Sequence, residues 1–300
     1  MKRFLLTSAA LVLLAVPAVA ADMAPAPVYK APIPVPVCIW CGFYLGLNAG
    51  GTWTDDNSVA VNSALAQDFV GGPASYGAAS AAGASGIVPV GGRSGFIGGG
   101  QIGYNWQMAP VWLAGFETDI QGISGKGSGT VAKGVGPFDF SGALDEVVTT
   151  SIVSSSRVDY LGTVRGRAGY LLTPSFLLYG TGGLAYGGVK ASTAISQSNN
   201  DCVFFFLTCI QGNTSAAGSL SQTRVGWTAG AGLEWMFASK WSAKVEYLHY
   251  DLGSVTFANG SLVTTSGTHP AALGPVVVGS TSTAKFSGDI VRAGVNFHWY

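Results

Sequence analysis

The sequence predicts an all-β chain, an eight-stranded antiparallel transmembrane β-barrel with short turns at one end and long loops at the other. Three observations predict it. Apolar residues recur at every second position over eight segments, which is how a strand reads when its two faces meet different surroundings. The connections between these segments alternate between tight turns and stretches of about 30–40 residues, the asymmetry of a membrane barrel. Beyond the first 20 residues nothing approaches ~18 uninterrupted apolar residues, which leaves a secreted β-rich protein or a transmembrane β-barrel, the one sheet that can span lipid, and the loop asymmetry favours the barrel.

The N-terminus sets the compartment. Lys2 and Arg3 precede an apolar run from Phe4 to Val16, followed by Pro17-Ala-Val-Ala20. A basic start, about 13 apolar residues and small residues at Ala18 and Ala20 read as a secretory signal peptide spanning 1–20, and the run is too short for a membrane anchor. Residues 21–41 read as a periplasmic linker, because Pro25, Pro27, Pro32, Pro34 and Pro36 favour extended polyproline geometry. The barrel is assigned to 42–300, with periplasmic turns and outer loops. The 15 acidic residues balance the 15 basic ones, which excludes the basic excess of a nucleic-acid binder.

The strands follow in order. The first, Gly42 to Trp53, sets Phe43, Leu45 and Leu47 against Asn48. The second, about Gly95 to Gln107, sets Ile102, Tyr104 and Trp106 against Gln101 and Asn105. In the third, about Val111 to Gly122, Trp112, Ala114, Phe116 and Ile120 oppose Glu117 and Asp119. In the fourth, about Arg157 to Leu172, Tyr160, Val164, Ala168, Tyr170 and Leu172 oppose Thr163, Arg165 and Arg167. The fifth, about Ser175 to Val189, is glycine-rich and leaves its phase open. In the sixth, about Gln222 to Phe237, the odd-numbered apolar run from Val225 through Trp227, Leu233 and Trp235 opposes Arg224, Thr228 and Glu234. The seventh, about Lys240 to Gly253, sets Trp241, Ala243, Val245 and Tyr247 against Lys244 and Glu246. The eighth starts near Lys285 and ends the chain; Arg292 lies on its polar face and Val295, Phe297 and Trp299 on its apolar one. It is expected to close the barrel against the first.

Tight turns are expected at Met108-Ala-Pro110, Thr173-Pro-Ser175 and Ala238-Ser-Lys240. The other four connections, roughly 54–94, 123–156, 190–221 and 254–284, are rich in Gly, Ser, Ala and Thr and are read as outer loops. Alternation alone does not say which face is inside. Trp and Tyr at the ends of the apolar faces resemble interfacial girdles, and strands of about 12–16 residues exceed the ~9–11 needed to cross on a tilt. Both put the apolar faces outside. The charges then point inward, with Glu117, Asp119, Asp159, Glu234 and Glu246 set against Arg165, Arg167, Arg224, Lys244 and Arg292 as a paired lumen network. An eight-stranded barrel is filled by its own side chains, so a plugged lumen is expected, with a narrow porin-like solute channel as the alternative.

The segments also carry a resemblance. Cys41-Gly-Phe-Tyr-Leu-Gly-Leu-Asn-Ala-Gly50, Gly98-Gly-Gly-Gln-Ile-Gly-Tyr-Asn-Trp-Gln107, Val164-Arg-Gly-Arg-Ala-Gly-Tyr170, Lys244-Val-Glu-Tyr-Leu-His-Tyr-Asp-Leu-Gly253 and Val291-Arg-Ala-Gly-Val-Asn-Phe297 resemble the alphaproteobacterial small outer-membrane β-barrel family. Its members are labelled outer membrane immunogenic protein or porin-family protein and share the OmpA-like eight-stranded barrel. The resemblance covers the strands and leaves out the long loops. It implies a surface-exposed structural protein or antigen of the cell outer membrane, with no catalytic residues to carry over. The family's assembly signal is a terminal aromatic; here Phe297 and Trp299 are followed by an extra Tyr300, so the signal falls to Trp299 or Tyr300. The cysteines are a second departure, since most members lack them.

Cys38 and Cys41 lie at the periplasmic base of the first strand, and Cys202 and Cys209 in the third outer loop. The two pairs are too far apart in the barrel to share a metal. Export to an oxidising compartment favours local disulfides. Cys202–Cys209 would staple the apolar tip from Val203 to Leu207, whose Phe204, Phe205 and Phe206 form either a loop core or a contact for a host surface ligand. Cys38 and Cys41 form a second bridge or, less in keeping with an all-β chain, a redox motif. His249 and Asp251 are the nearest approach to a catalytic pair, but His249 follows the apolar phase of Tyr247 and belongs to the outer interface. His269, in the fourth loop, is the candidate axial ligand were haem bound, as some relatives are reported to do. The expectation is a non-enzymatic protein without cofactor or metal, whose partners are outer-membrane lipid and the barrel assembly machinery.

Overall fold

The computed structural model describes residues 38–54, 57–67, 75–139, 145–203, 208–264 and 275–299. Eight strands form a closed antiparallel ring. They are β1 (Gly42–Thr54), β4 (Arg93–Ala109), β5 (Trp112–Ile123), β7 (Asp145–Thr173), β8 (Phe176–Val203), β9 (Thr208–Ala238), β10 (Trp241–Thr264) and β11 (Val276–Trp299). Each pairs with the next in that order, and the β1–β11 pairing closes the ring, with Phe43 opposite Trp299 and Leu47 opposite Val295. The fold is an eight-stranded antiparallel β-barrel. Tight turns join β4 to β5, β7 to β8 and β9 to β10 at the expected places.

The four long connections are a correction. Most of their described length is sheet. The first holds β2 (Ser58–Gln67), α1 (Ser75–Gly83) and β3 (Gly86–Pro89); β2 pairs with β11 and β3 with β2. The second holds β6 (Gly127–Asp139), paired with the upper part of β7. The third and fourth are the upper halves of β8, β9, β10 and β11, whose pairing runs on to Val203–Thr208 and Val276–Thr264. The fifth strand, of open phase in the sequence, turns Leu177 and Tyr179 inward and Leu178 outward.

The loop composition misled for a physical reason. On the lower strands the outer face is apolar and the inner face charged: Trp241 and Val245 are exposed while Lys244 and Glu246 are buried. Farther up the same strand the polarity reverses. Leu248, Tyr250, Leu252, Val255 and Phe257 are buried inside, and Ser254 and Thr256 face out. On β8 likewise, Ala191, Thr193 and Ile195 point in and Ser192 and Ser196 out. A strand whose outer face meets water carries Ser and Thr there, and such a strand has the composition of a loop.

The outer surface marks where that change occurs. Exposed aromatics recur ten positions apart on three strands, Phe43 and Trp53, Phe96 and Trp106, and Trp227 and Phe237. Ten residues at ~3.3 Å each, along strands tilted ~40°, rise about 25 Å, the height of the apolar band of an outer-membrane barrel. Among the described residues no helix is long and apolar enough to cross a membrane.

The lumen and its closures

Buried side chains occupy the barrel interior in three layers. The lowest starts just before β1. Residues 38–41, read from sequence as the end of the linker, form a compact loop closed by a Cys38–Cys41 disulfide. The loop folds Trp40 into the lower mouth, where it is 1% exposed. Its Nε1–H donates to the Pro174 carbonyl on the β7–β8 turn at 2.9 Å, and its ring meets the edge of His298 at 6.0 Å. Leu113, Leu177, Tyr179 and Met236 complete this cluster.

Above Trp40 lies a network of charges. Strand alternation delivers one or two charges inward from each of β5, β7, β9, β10 and β11, and the stagger of the ring brings them to one level. Arg165 donates to Glu246 at 2.9 Å, to Asp119 at 2.9 Å and to Glu117, while its Nε–H bonds Thr163 at 2.9 Å. Arg292 donates to Glu246 at 2.8 Å through Nε and to Asp119 at 2.7 Å through Nη2. Lys244 sits 2.9 Å from both carboxylate oxygens of Glu117. Arg167 donates to Glu234 at 2.7 Å and stacks on Tyr179, 4.1 Å from the ring centroid. All eight side chains are buried. Arg165, Arg167, Lys244 and Arg292 balance Glu117, Asp119, Glu234 and Glu246 charge for charge. Such pairing is what makes burial tolerable, since a lone charge there would lose its hydration without return.

Two residues assigned to this network lie elsewhere. Asp159 is at a β-bulge where the β7–β8 register shifts between Val158 and Tyr160. It sits on the outer surface, bridging Arg157 at 2.9 Å and Lys190 at 2.8 Å. Arg224 lies above the network, in the region of reversed polarity, and reaches the Ser254 carbonyl at 3.4 Å. One acid and one base leave together, so the balance survives.

The network also takes in residues that the charge pattern did not single out. The Tyr44 hydroxyl donates to Glu117 at 2.7 Å and accepts from Arg167 at 2.9 Å. Room for its ring comes from Gly103, where a Cβ would stand 2.3 Å from it. Asn296 donates to Glu234 at 2.7 Å, and Gln101 donates to Asn296 at 2.6 Å. The Ser242 hydroxyl lies 2.9 Å from His298 Nε2. Asn296 and His298 share the phase of Arg292 on their strand and Tyr44 that of Asn48 on its own, and that parity was the available signal. Trp40 stands outside any strand and had none.

The third layer begins apolar and takes in buried hydroxyl and amide groups farther up, where Ser282 donates to Thr193 at 2.9 Å. Ile97, Leu161, Leu248 and Ile290, each two residues above an inward polar or glycine position of the network level, begin a core that continues through Val189, Leu252 and Phe286. Helix α1 caps it. Ala79, Ser80 and Ala81 are buried, and the side chain of Gln197 on β8 clamps the helix. Gln197 accepts from the Ser80 hydroxyl at 2.6 Å, and its amide donates to the Ser80 carbonyl at 2.8 Å and to Thr150 at 2.9 Å. Small residues let a helix enter so narrow a space.

The remaining sequence candidates fall as follows. His249 is on the outer face; its Nδ1 lies 2.8 Å from Asp289, which also accepts from Tyr247 at 2.6 Å. Asp251 accepts from the Gly253 amide at 2.7 Å and does not pair with His249. On the backbone, Cys202 stands opposite Cys209 in the β8–β9 register. Phe204, Phe205 and Phe206, His269, Tyr300, the segment 1–20 and the run 21–37 lie outside the described residues. Among the described residues no group of three or more His, Cys, Asp or Glu could hold a metal ion.

Comparison with known proteins agrees with this architecture. A family model described as an outer membrane protein beta-barrel domain matches residues 6–271. A 31 kDa outer-membrane immunogenic protein of Brucella melitensis biotype 1 is 32% identical over 265 residues, covering 84% of this chain and 88% of that one. A 22 kDa outer membrane protein of Rhizobium leguminosarum bv. viciae is 32% identical over 171 residues, 54% of this chain and 59% of the other. Among solved structures, the outer membrane protein OprG of Pseudomonas aeruginosa aligns over 86% of this chain and 98% of its own, at 12% identity and a TM-score of 0.35.

Proposed function

The chain belongs to the outer membrane protein beta-barrel domain family and resides in the cell outer membrane, and from that premise we propose that it is a structural, surface-exposed barrel with a sealed lumen. Its outer-membrane relatives, one of them named an immunogenic protein, support a role as surface antigen. The observation that carries the sealed reading is the vertical order of the lumen. Trp40 lies across the base, eight neutralised charges fill the middle, and an apolar layer from Ile97 to Phe286 separates them from the upper interior under α1. A solute channel needs a continuous polar path. Here the polar layer is bounded by apolar layers on both sides. Sealing also suits a part in envelope integrity, since the barrel then adds a rigid wall without a leak.

Planar-bilayer recording tests this. The purified protein is expected to give no stable openings, and large, long-lived conductance steps would overturn the sealed reading in favour of a channel. Cys202 and Cys209 form a second disulfide on this proposal, supported by their opposed backbone register. Mass analysis without reductant would then give a chain lighter by four hydrogens than the fully reduced form, two for each bridge. Membrane insertion by the barrel assembly machinery is part of the same reading.

A further inference from the structure

We propose that the outer surface of β7, β8 and β9 carries a binding site for the phosphate of an outer-leaflet lipid headgroup, formed by Arg157 and Lys190 with the Tyr160–Thr223 hydroxyl pair beside them. Arg157 and Lys190 stand opposite each other in the β7–β8 register. They are held side by side by Asp159, at 2.9 and 2.8 Å. One carboxylate for two cations leaves one positive charge uncompensated among the described residues. Both cationic side chains stay well exposed, at 45% and 43%, whereas the cations of the lumen network are at most 1% exposed.

Height selects the occupant. Between the two aromatic levels the outer face of the ring carries no Lys or Arg among the described residues. On β8 the outward series runs from Phe176 at the base through Leu178, Leu184 and Tyr186 to Lys190, and on β7 from Leu172 through Tyr170 and Val164 to Tyr160 and Arg157. By strand rise and tilt the cations stand about 10 Å above the apolar band, within the headgroup layer. A lipid whose acyl chains lie along Leu184 and Tyr186 presents its headgroup at Arg157 and Lys190. Just below them the Tyr160 hydroxyl lies 2.9 Å from Thr223 on β9. The ring reaches across β8 because the intervening residue is Gly188, where a Cβ would come within 2.5 Å of it. A planar guanidinium, an ammonium and two hydroxyls on one outward surface suit a phosphate monoester. Nothing in the sealed lumen calls for this arrangement, so the inference goes beyond the reading above.

The test uses the full barrel in lipid nanodiscs doped with bis-phosphorylated lipid A or its fully dephosphorylated form, with retained lipid counted by native mass spectrometry. The wild type is expected to retain the phosphorylated lipid and not the dephosphorylated one. Removing two surface cations in R157Q/K190Q should weaken retention about 30-fold. Asp159→Asn, which adds one uncompensated positive charge, should strengthen it several-fold. Heat-modifiable migration checks that each variant is folded. Retention of both lipids alike, wild-type retention by folded R157Q/K190Q, or weaker retention by Asp159→Asn would each overturn the proposal. If the double variant fails to fold, the Asp159→Asn result and the comparison of the two lipids decide.

Discussion

The indole of Trp40 donates a 2.9 Å hydrogen bond to the carbonyl of Pro174, 134 residues further along the chain. That bond fastens the segment entering the barrel to a turn on the far side of its base. The first prediction concerns it. Trp40→Ala removes a buried ring and should destabilise the barrel by about 3–5 kcal/mol. Trp40→Phe keeps most of the apolar burial and should lose only about 1 kcal/mol with the hydrogen bond. Urea unfolding in phospholipid bilayers, followed by circular dichroism, measures both. An unchanged midpoint in Trp40→Ala would mean that the base is not closed by this side chain.

The Arg165 guanidinium serves three carboxylates at once, Glu117, Asp119 and Glu246. Arg165→Met leaves the buried layer one positive charge short, with Lys244 and Arg292 the remaining partners of these carboxylates, and should cost about 3–5 kcal/mol. Asp159→Asn breaks surface pairs of comparable length and should cost less than about 1 kcal/mol. The same unfolding assay compares the two. Equal losses would show that the lumen layer is as well hydrated as the surface.

Gly83 lies where α1 meets the barrel wall, and a Cβ there would come 2.7 Å from the Thr150 hydroxyl. Gly83→Val should therefore dislodge α1 while the ring below stays closed. Protease added outside intact cells should cut within 75–85 in the variant and spare the wild type, and heat-modifiable migration should be unchanged. Loss of the folded form would instead make α1 part of the barrel's own stability.

Trp299 is opposite Phe43 in the closing pair of strands and packs edge-on against Phe297 at 5.1 Å. Trp299→Ala should reduce assembled barrel in the outer membrane several-fold, whereas deleting Tyr300 should be tolerated. The amount of heat-modifiable protein in membrane fractions reads both out. The reverse outcome would assign the assembly signal to Tyr300.

Much of this was legible in the chain because strand alternation is local. Val225, Trp227, Leu233 and Trp235 face out and Glu234 faces in simply because successive side chains leave a strand on opposite sides. The closing pair, the three tight turns and the inward phase of Arg165, Lys244 and Arg292 follow from the same rule. Asp159 shows its limit. A single bulge between Val158 and Tyr160 shifts the phase, and nothing in the alternation announces it.

By itself, then, the sequence determined the eight alternating segments, their apolar outer face and the inward phase of charges such as Arg165, Glu234, Lys244 and Arg292, since each depends on residues within one strand. Only the tertiary structure decided which of those side chains meet. Arg165 finds Glu117 48 residues away and Glu246 81 residues away because ring closure and stagger bring β5, β7 and β10 to one level. It also decided that the Ser- and Thr-rich connections are sheet, and that Trp40 and α1 lie at the two ends of the lumen. The fate of such segments depends on what surrounds them, whether water or lipid outside and an empty or filled space inside, and those surroundings exist only once the barrel has formed.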